Sequence, residues 1–202
     1  MSWALAVQVA LVAVVSFLVG SVNPATLLAR TLGRDLRASG SGNPGATNAG
    51  RVLGARWGVL VLVLDVAKAW LPTWLVLRSM GTVPALVAGL GVVLGHVYSP
   101  FLRGRGGKGV ACAFGAVLAV EPFVALGAVV VFAVTKAFVP FVGEASVVAV
   151  LGIGVVGVLG AVGLVPGVGV VVGVWLVLLS AIVLRRHRRN ILAWWDRLRG
   201  HR

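Results

Sequence analysis

Two glycine-rich segments contain the residues whose chemistry is best suited to holding a phosphate group. The first segment, SGSGNPGATNAGR, runs from Ser39 to Arg51, and the second segment, RGRGGKGVACAFG, runs from Arg103 to Gly115. Glycine adopts left-handed backbone conformations without steric cost, and successive backbone N–H groups can then converge on an anion. Arginine and lysine in the same segments add fixed positive charge. We therefore predict one phosphate site made from both segments.

The first segment carries several short polar side chains that can cap turns or bind oxygen atoms. They are Ser41, Asn43, Thr47 and Asn48, with Gly42 and Gly45 between them. Arg51, at the end of the segment, can donate two parallel hydrogen bonds to a phosphate. The alternative interpretation is a flexible glycine-rich linker, but such linkers seldom carry paired asparagines followed by an arginine.

The second segment runs directly into an apolar stretch, which predicts a helix beginning near Gly109 or Val110. A helix start offers unpaired N–H groups and a partial positive charge, so Lys108 is well placed to hold phosphate together with Gly106, Gly107 and Gly109. The segment is not a nucleotide P-loop, because Gly109 stands where that motif needs Ser or Thr. The alternative is a tight turn with basic side chains reaching toward the membrane surface.

Other polar residues lie in or beside apolar stretches. Asp65 and Lys68 are three residues apart on one helix face, which favours a structural ion pair over a proton relay. His96 is equally compatible with a packing role and a catalytic role. Ser146 is compatible with a helix N-cap, and Asn190 with an ordinary surface position in a basic tail.

Several kinds of site find no support in the sequence. The inner loops hold no paired carboxylates for two-carboxylate acid–base chemistry. The three histidines and the single cysteine show no metal-ligand spacing, and no GxSxG nucleophile motif occurs. We therefore predict neither a metal nor a cofactor.

The elements that position these residues must be membrane helices. The chain is 59% hydrophobic and 11% charged, with a mean hydropathy of +1.05, whereas soluble domains carry about 25% charged residues. The net charge of +13 does not indicate a nucleic-acid partner, because the basic residues gather between apolar stretches and at the C-terminus. The first apolar stretch is not preceded by basic residues, so we interpret it as a retained span rather than a signal peptide.

We predict an all-α fold, a single integral membrane domain (1–202) with seven transmembrane helices and glycine-rich cytoplasmic loops. The predicted spans are 3–22, 58–77, 83–102, 110–120, 122–141, 146–165 and 167–184. The fourth is too short to cross a bilayer alone, which is typical of a half-helix packed inside a bundle. Residues 185–202 form a basic tail whose Trp194 and Trp195 indicate an interfacial helix on anionic lipid headgroups.

The distribution of basic residues predicts the orientation. With the N-terminus outside and the C-terminus inside, all the Lys and Arg residues except Lys68 and Arg78 lie at the inner face or toward it. Both glycine-rich segments are then cytoplasmic. Six spans would place either the first loop or the tail on the wrong side.

Five stretches resemble the bacterial acyl-phosphate:glycerol-3-phosphate acyltransferase family. They are GSVNPATLLAR, LRASGSGNPGATNAGRVLG, LDVAKA, GHVYSPFLRGRGGKGVACAFG and RRHRRNI, which occur in the family's order between Gly20 and Ile191. The resemblance implies a seven-span enzyme of the bacterial inner membrane. It also implies transfer of a fatty acyl group from acyl phosphate to the 1-hydroxyl of sn-glycerol 3-phosphate, giving lysophosphatidic acid and inorganic phosphate, the first acylation in phospholipid synthesis.

The resemblance also implies roles for individual residues. Ser41, Gly42 and Asn43 match the first catalytic loop, Arg51 a glycerol-phosphate ligand, His96 the motif histidine, Lys108 the phosphate-binding lysine, and Asn190 the asparagine after the basic pair. Ser146 matches a substrate-binding serine opening the sixth span, although the residues before it depart from the family pattern. An enzyme that produces acyl phosphate is an expected functional partner, and membrane lipids are expected contacts. The His-x4-Asp motif of acyl-CoA-dependent glycerolipid acyltransferases is missing.

Two other classes of function compete with the acyltransferase. A permease for a phosphorylated solute or an anion is compatible with the spans, the Asp65–Lys68 pair and the anion-binding loops, but the two halves show no obvious repeat. A membrane-organising protein tethered by its basic tail leaves the glycine-rich segments unexplained.

Overall fold

The chain is helical in the computed structural model, which describes residues 3–200 and contains no strand among them. The helices are α1 (Trp3–Ser21), α2 (Pro24–Thr31), α3 (Ala46–Leu53), α4 (Ala55–Met80), α5 (Thr82–Val97), α6 (Val110–Val120), α7 (Pro122–Phe138), α8 (Val142–Ala161), α9 (Val170–Arg186) and α10 (Arg188–Leu198). A 3₁₀ turn, Pro100–Leu102, follows α5. The predicted all-α class is confirmed, while Arg202 of the predicted tail lies outside the described residues.

Four helical stretches are long and apolar enough to span a membrane: Trp3–Thr31, Ala55–Met80, Thr82–Leu102 and Val142–Ala161. Helices α9 and α10 meet at 68° and give a fifth if the bent pair is one span. Helices α6 and α7 are shorter apolar helices of 11 and 17 residues. Each predicted span therefore contains an apolar helix, but the number seven stays a prediction.

The chain divides into two compact units, the first ending at Val120 and the second beginning at Glu121. In the first unit, α5 packs against α1, α4 and α6, and α3 packs against α4. Glycine at position 95 lets α1 and α5 approach closely, since a Cβ there would overlap the Phe17 carbonyl. This packing buries the last turn of α5, which carries His96.

The second unit contains α7 to α10, with α8 packed against both α7 and α9. A Cβ at Gly173 would overlap the Gly157 carbonyl, so the backbones of α8 and α9 nearly touch. The predicted tail helix is present as α10, which contacts α8 and α9.

Two predicted local structures differ from those observed. The stretch between the first and second spans was expected to be loop, but it contains α2 and α3. Helix α2 begins because the Asn23 side chain caps the N–H of Thr26 and Pro24 occupies the first helical position. Ser146 is not an N-cap, because α8 already begins at Val142 and the Ser146 hydroxyl donates to the Val142 carbonyl at 2.8 Å.

Candidate functional site

The fold of the first segment is fixed from inside by Asn48. Its side-chain amide donates to the carbonyls of Leu36 (3.0 Å) and Ser39 (3.1 Å) and accepts the Ser41 N–H at 2.8 Å. Asn48 is only 1% exposed, so these bonds are shielded from water. Asn48 is one of the predicted substrate-binding side chains of the phosphate site, and the structure shows its side chain holding the loop.

Glycine is required at two turns of the same loop. Gly40 and Gly42 have φ of 62° and 69°, a region that other residues rarely adopt. A Cβ at Gly40 would also overlap the Asn48 side-chain oxygen. The loop is tied to the start of α2 as well, because Asn23 donates to the Pro44 carbonyl at 2.9 Å.

The second segment folds back onto the end of α5. The N–H groups of Gly106 and Gly107 donate to the carbonyls of Val97 (3.0 Å) and His96 (3.1 Å). Both glycines are buried, and a Cβ on either would overlap α5: the His96 carbonyl for Gly106, the His96 ring for Gly107. These two N–H groups are thus engaged within the protein, and the glycines permit close packing.

The candidate N–H groups for binding an anion are therefore those where α3 and α6 begin. The first N–H groups of a helix lack intrahelical partners and carry a partial positive charge. Helix α3 starts immediately after Gly45, with exposed Thr47 in its first turn and exposed Arg51 one turn further on. Helix α6 starts at Val110, after half-buried Lys108 and after Gly109, whose φ is 88°. The predicted start of this helix is confirmed.

Arg37 connects the loop that precedes α3 with the loop that precedes α6. Its guanidinium donates to the carbonyls of Leu102 at 3.2 Å and Arg105 at 2.7 Å. Ser99, which precedes the second loop, ties it to the end of α1 by donating to the Ser21 carbonyl at 2.7 Å. The structure thus joins the two predicted segments within one unit.

His96 lies in a buried polar cluster formed with α4 and α6. Lys68 Nζ is 2.9 Å from Asp65 Oδ1 and 3.0 Å from His96 Nδ1, and it donates to the Val22 carbonyl at 2.7 Å. Asp65 Oδ1 is 3.4 Å from His96 Nδ1. The predicted Asp65–Lys68 pair is confirmed, and it also contacts the histidine, which sequence spacing could not show.

The same cluster contains three groups that can bind a metal ion. Ligand atoms of Asp65, His96 and Cys112 lie within 4.8 Å of one another, although they come from three helices. The ammonium of Lys68 occupies the position next to the carboxylate and the imidazole where a cation would bind. A lysine thus supplies the cluster's positive charge, and the residues do not favour a metal there.

Ser146 and Asn190 belong to the second unit. Ser146 is buried in α8, and the side chain of Asn190 in α10 packs so tightly on Gly143 that a Cβ there would overlap it. Nearby, Arg197 of α10 forms an ion pair with buried Glu144 and stacks on the Phe141 ring at 4.6 Å. These contacts hold α10 against the beginning of α8.

Sequence reasoning missed three residues that build the site: Asn23, Arg37 and Ser99. Asn23 carried a usable signal, because Asn followed by Pro is typical of a helix start. Arg37 is one of many arginines, and nothing in the sequence marks its distant carbonyl partners. Ser99 likewise bonds to a residue 78 positions away.

Comparison with known proteins adds independent information. Residues 10–197 match the family model described as glycerol-3-phosphate acyltransferase. The glycerol-3-phosphate acyltransferase of Geotalea daltonii is 37% identical over 87% of this chain and 88% of that protein. The protein of the same name from Aquifex aeolicus is 36% identical over 87% and 90%.

A solved structure is similar over nearly the whole chain. It is the crystal structure of PlsY (YgiH), an integral membrane glycerol 3-phosphate acyltransferase, in its glycerol 3-phosphate form, with a TM-score of 0.85 and 35% identity over 96% of this chain and 94% of that one. A lysphosphatidic acid form of PlsY gives a TM-score of 0.83 and 34% identity over 96% and 93%. The chain is therefore an integral membrane protein that belongs to the glycerol-3-phosphate acyltransferase family.

Proposed function

We propose that the enzyme uses acyl phosphate as its donor and acylates the 1-hydroxyl of sn-glycerol 3-phosphate. The observation that carries the proposal is the pair of loops joined by Arg37, each leading into a helix start beside a basic residue. Two phosphate-bearing substrates account for two such loops better than a single phosphate ligand does. The glycerol 3-phosphate and lysphosphatidic acid forms of PlsY support this choice of acceptor and product.

The reaction is direct acyl transfer. The glycerol hydroxyl oxygen attacks the acyl carbonyl carbon, the new ester bond forms, and the bond between that carbon and the phosphate oxygen breaks. Inorganic phosphate leaves, and the hydroxyl proton passes to His96, Ser41 or a phosphate oxygen of the donor. Because an acyl phosphate is an activated mixed anhydride, positioning and charge stabilisation supply most of the catalysis.

The proposed roles follow the geometry of the first unit. Lys108 and the start of α6, with Gly109, bind one phosphate, and Arg51 with the start of α3 and Thr47 binds the other. The remaining proposed members are Ser41, Asn43 and His96 as catalytic groups, and Gly42, Gly45, Asn48, Gly106 and Gly107 as the backbone and side chains that shape the loops. Asn190 as a catalytic group and Ser146 as a substrate ligand come from the family resemblance.

The proposed location is the bacterial inner membrane, with the N-terminus outside and the two loops and the C-terminus in the cytoplasm. The support is the concentration of basic residues around the loops and in the tail. An acyl-phosphate-producing enzyme in the same cell is then the functional partner that supplies the donor.

A donor comparison tests the proposal. Purified protein in lipid nanodiscs receives glycerol 3-phosphate with palmitoyl phosphate or palmitoyl-CoA, and both lysophosphatidic acid and free phosphate are measured. We expect equal amounts of both products from palmitoyl phosphate and no lysophosphatidic acid from palmitoyl-CoA. Lysophosphatidic acid formed from palmitoyl-CoA but not from palmitoyl phosphate would refute acyl phosphate as the donor. A stable acyl adduct on Ser41 would refute direct transfer.

A further inference from the structure

The ammonium group of Lys68 lies inside the protein among three oxygen and nitrogen atoms. Its Nζ lies 2.7 Å from the Val22 carbonyl oxygen, 2.9 Å from Asp65 Oδ1 and 3.0 Å from His96 Nδ1. It forms hydrogen bonds with the Val22 oxygen and with His96 Nδ1, and it pairs by charge with Asp65. An ammonium group has three N–H donors and no lone pair, so it can only donate in these hydrogen bonds. A hydrogen bond from this ammonium to Nδ1 of His96 requires Nδ1 to present its lone pair and to carry no proton.

The surroundings of the ring favour the same arrangement. His96 is 4% exposed, and a proton on Nδ1 would point at the ammonium of Lys68. A doubly protonated ring would place two cations, the imidazolium and the Lys68 ammonium, beside the single carboxylate of Asp65. Asp65 Oδ1, at 3.4 Å from Nδ1, lies beyond the usual hydrogen-bond distance of about 2.7–3.2 Å.

The other ring nitrogen, Nε2, faces the second segment. A Cβ at Gly107 would collide first with Nε2 of His96, so this nitrogen lies directly against the backbone one residue before Lys108. The His96 carbonyl accepts the Gly107 N–H on the same side. The histidine thus contacts the loop with both its main chain and its ring.

We propose that Lys68, held by Asp65, is a positioning residue that keeps His96 neutral with its proton on Nε2. His96 is then a hydrogen-bond donor toward the glycine loop and the phosphate bound there, and it does not accept the proton of the glycerol hydroxyl. The tautomer rests on the structure alone, whereas its consequence for proton transfer rests on the proposed function. That proton then passes to Ser41 or to a phosphate oxygen.

Nitrogen NMR of the ring tests the tautomer directly. Full-length protein labelled with ¹⁵N-histidine is reconstituted in nanodiscs, and the His96 signals are assigned by their loss in His96→Gln, since the chain has three histidines. We expect a protonated Nε2 and an unprotonated Nδ1 at neutral pH. A protonated Nδ1 in the wild-type protein, with or without a protonated Nε2, would overturn the proposal.

Two substitutions separate positioning from general structure. Lys68→Met removes the ammonium but keeps a long side chain, and we expect Nδ1 to become protonated toward Asp65. Lys68→Arg keeps a charged donor and should retain the Nε2-protonated ring. Lys136→Met is the matched control, because Lys136 donates to the Val139 carbonyl within the second unit. If the ring tautomer is unchanged in Lys68→Met, Lys68 does not set it.

Kinetics supply the functional readout. In Lys68→Met we expect kcat for acyl transfer to fall about 10²- to 10³-fold, the range for losing one oriented donor, with a smaller change in KM and partial recovery in Lys68→Arg. Full kcat in a Lys68→Met protein with an altered tautomer would refute the role of the His96 Nε2–H group as a hydrogen-bond donor in the reaction. Failure of wild-type protein to use acyl phosphate would refute the proposed function without affecting the NMR result.

Discussion

Arg37 donates a hydrogen bond to the carbonyl of Arg105 at 2.7 Å, although the two residues are 68 positions apart in the chain. The same guanidinium reaches the Leu102 carbonyl at 3.2 Å. Both bonds come from the same terminal nitrogen, Nη2, whose N–H directions are fixed by the rigid guanidinium plane, whereas a lysine ammonium rotates freely. Arg37 therefore fixes the two glycine-rich loops relative to each other, and through them the starts of α3 and α6.

Arg37→Lys should separate charge from geometry at this position. The charge is retained, but the long, rigid guanidinium whose Nη2 bonds both carbonyls is replaced by a shorter, freely rotating ammonium. We therefore expect the loop at 98–109 to become more mobile and kcat/KM to fall about 10-fold, equivalent to about 1.4 kcal/mol. Hydrogen–deuterium exchange of that loop, measured with the kinetics, checks the prediction.

Arg34→Lys is the matched control for Arg37→Lys, because Arg34 is an exposed arginine on the same loop. We expect it to leave exchange at 98–109 unchanged. Equal effects in the two variants would show that any replacement of arginine on this loop disturbs it, and would contradict the role assigned to the Arg37 bonds with the second loop.

Much of the fold was predictable because membrane helices depend on local composition. Apolar length placed α4, α8 and α9 within a few residues of their observed bounds, and the glycine-to-valine transition placed the start of α6. The short helices α2 and α3 were missed because their stability comes from the Asn23 cap and from packing on α4. Neither contribution produces an apolar run.

The sequence indicates candidate phosphate-binding residues by their type but not the contacts that they make. Glycine, lysine and arginine at their spacing indicated phosphate binding, yet the Gly106 and Gly107 amides bond to α5. The contacts of His96 with Lys68 and Cys112 join three helices, and single-sequence spacing carries no such information. Long-range bonds such as Arg37 to Arg105 became visible only in the structure.

Gly107→Ala tests the close packing between the second loop and α5. The added methyl would overlap the buried His96 ring, which cannot move without disturbing its bond with Lys68. We expect kcat to fall at least about 10-fold and the melting temperature to drop, consistent with about 1–3 kcal/mol of overpacking. Activity assays and a thermal melt in the same nanodiscs measure both.

Gly127→Ala is the comparison for Gly107→Ala, because a Cβ at Gly127, inside α7, meets no atom within 4 Å. Alanine also favours the helix by roughly 0.5–1 kcal/mol, so this variant should be neutral or slightly more stable. A Gly107→Ala enzyme with wild-type kinetics would contradict the packing seen at His96.

Arg197→Met tests the anchoring of α10. The substitution leaves the buried Glu144 carboxylate without its cationic partner and removes the stacking on Phe141. Since Arg197 is 46% exposed, we expect a modest loss of stability, about 1–2 kcal/mol, below the figure for a fully buried pair. Faster trypsin cleavage within α10 and a lower melting temperature are the measurements.

The double variant Glu144→Gln/Arg197→Met should recover much of that stability, because no buried carboxylate is then left unpaired. Arg199→Met, which removes a cation stacked on Trp195 in the same helix, serves as the control for loss of charge. If it accelerates cleavage as much as Arg197→Met does, the anchoring assigned to the Glu144 pair is wrong.

Lys108→Ala tests whether the start of α6 holds a phosphate that takes part in the reaction. Lys108 directly precedes Gly109 and the N-terminus of α6, so its ammonium adds to the partial positive charge of the helix start. In the proposed reaction, the leaving phosphate accumulates negative charge there. We expect kcat to fall about 10²- to 10³-fold at unchanged melting temperature, with partial recovery in Lys108→Arg.

The same loss in Lys136→Ala would indicate a general effect of removing charge, and near-normal turnover of Lys108→Ala would remove Lys108 from the mechanism. A rise in KM for acyl phosphate at constant kcat would instead mean that Lys108 binds the donor equally before and during the reaction.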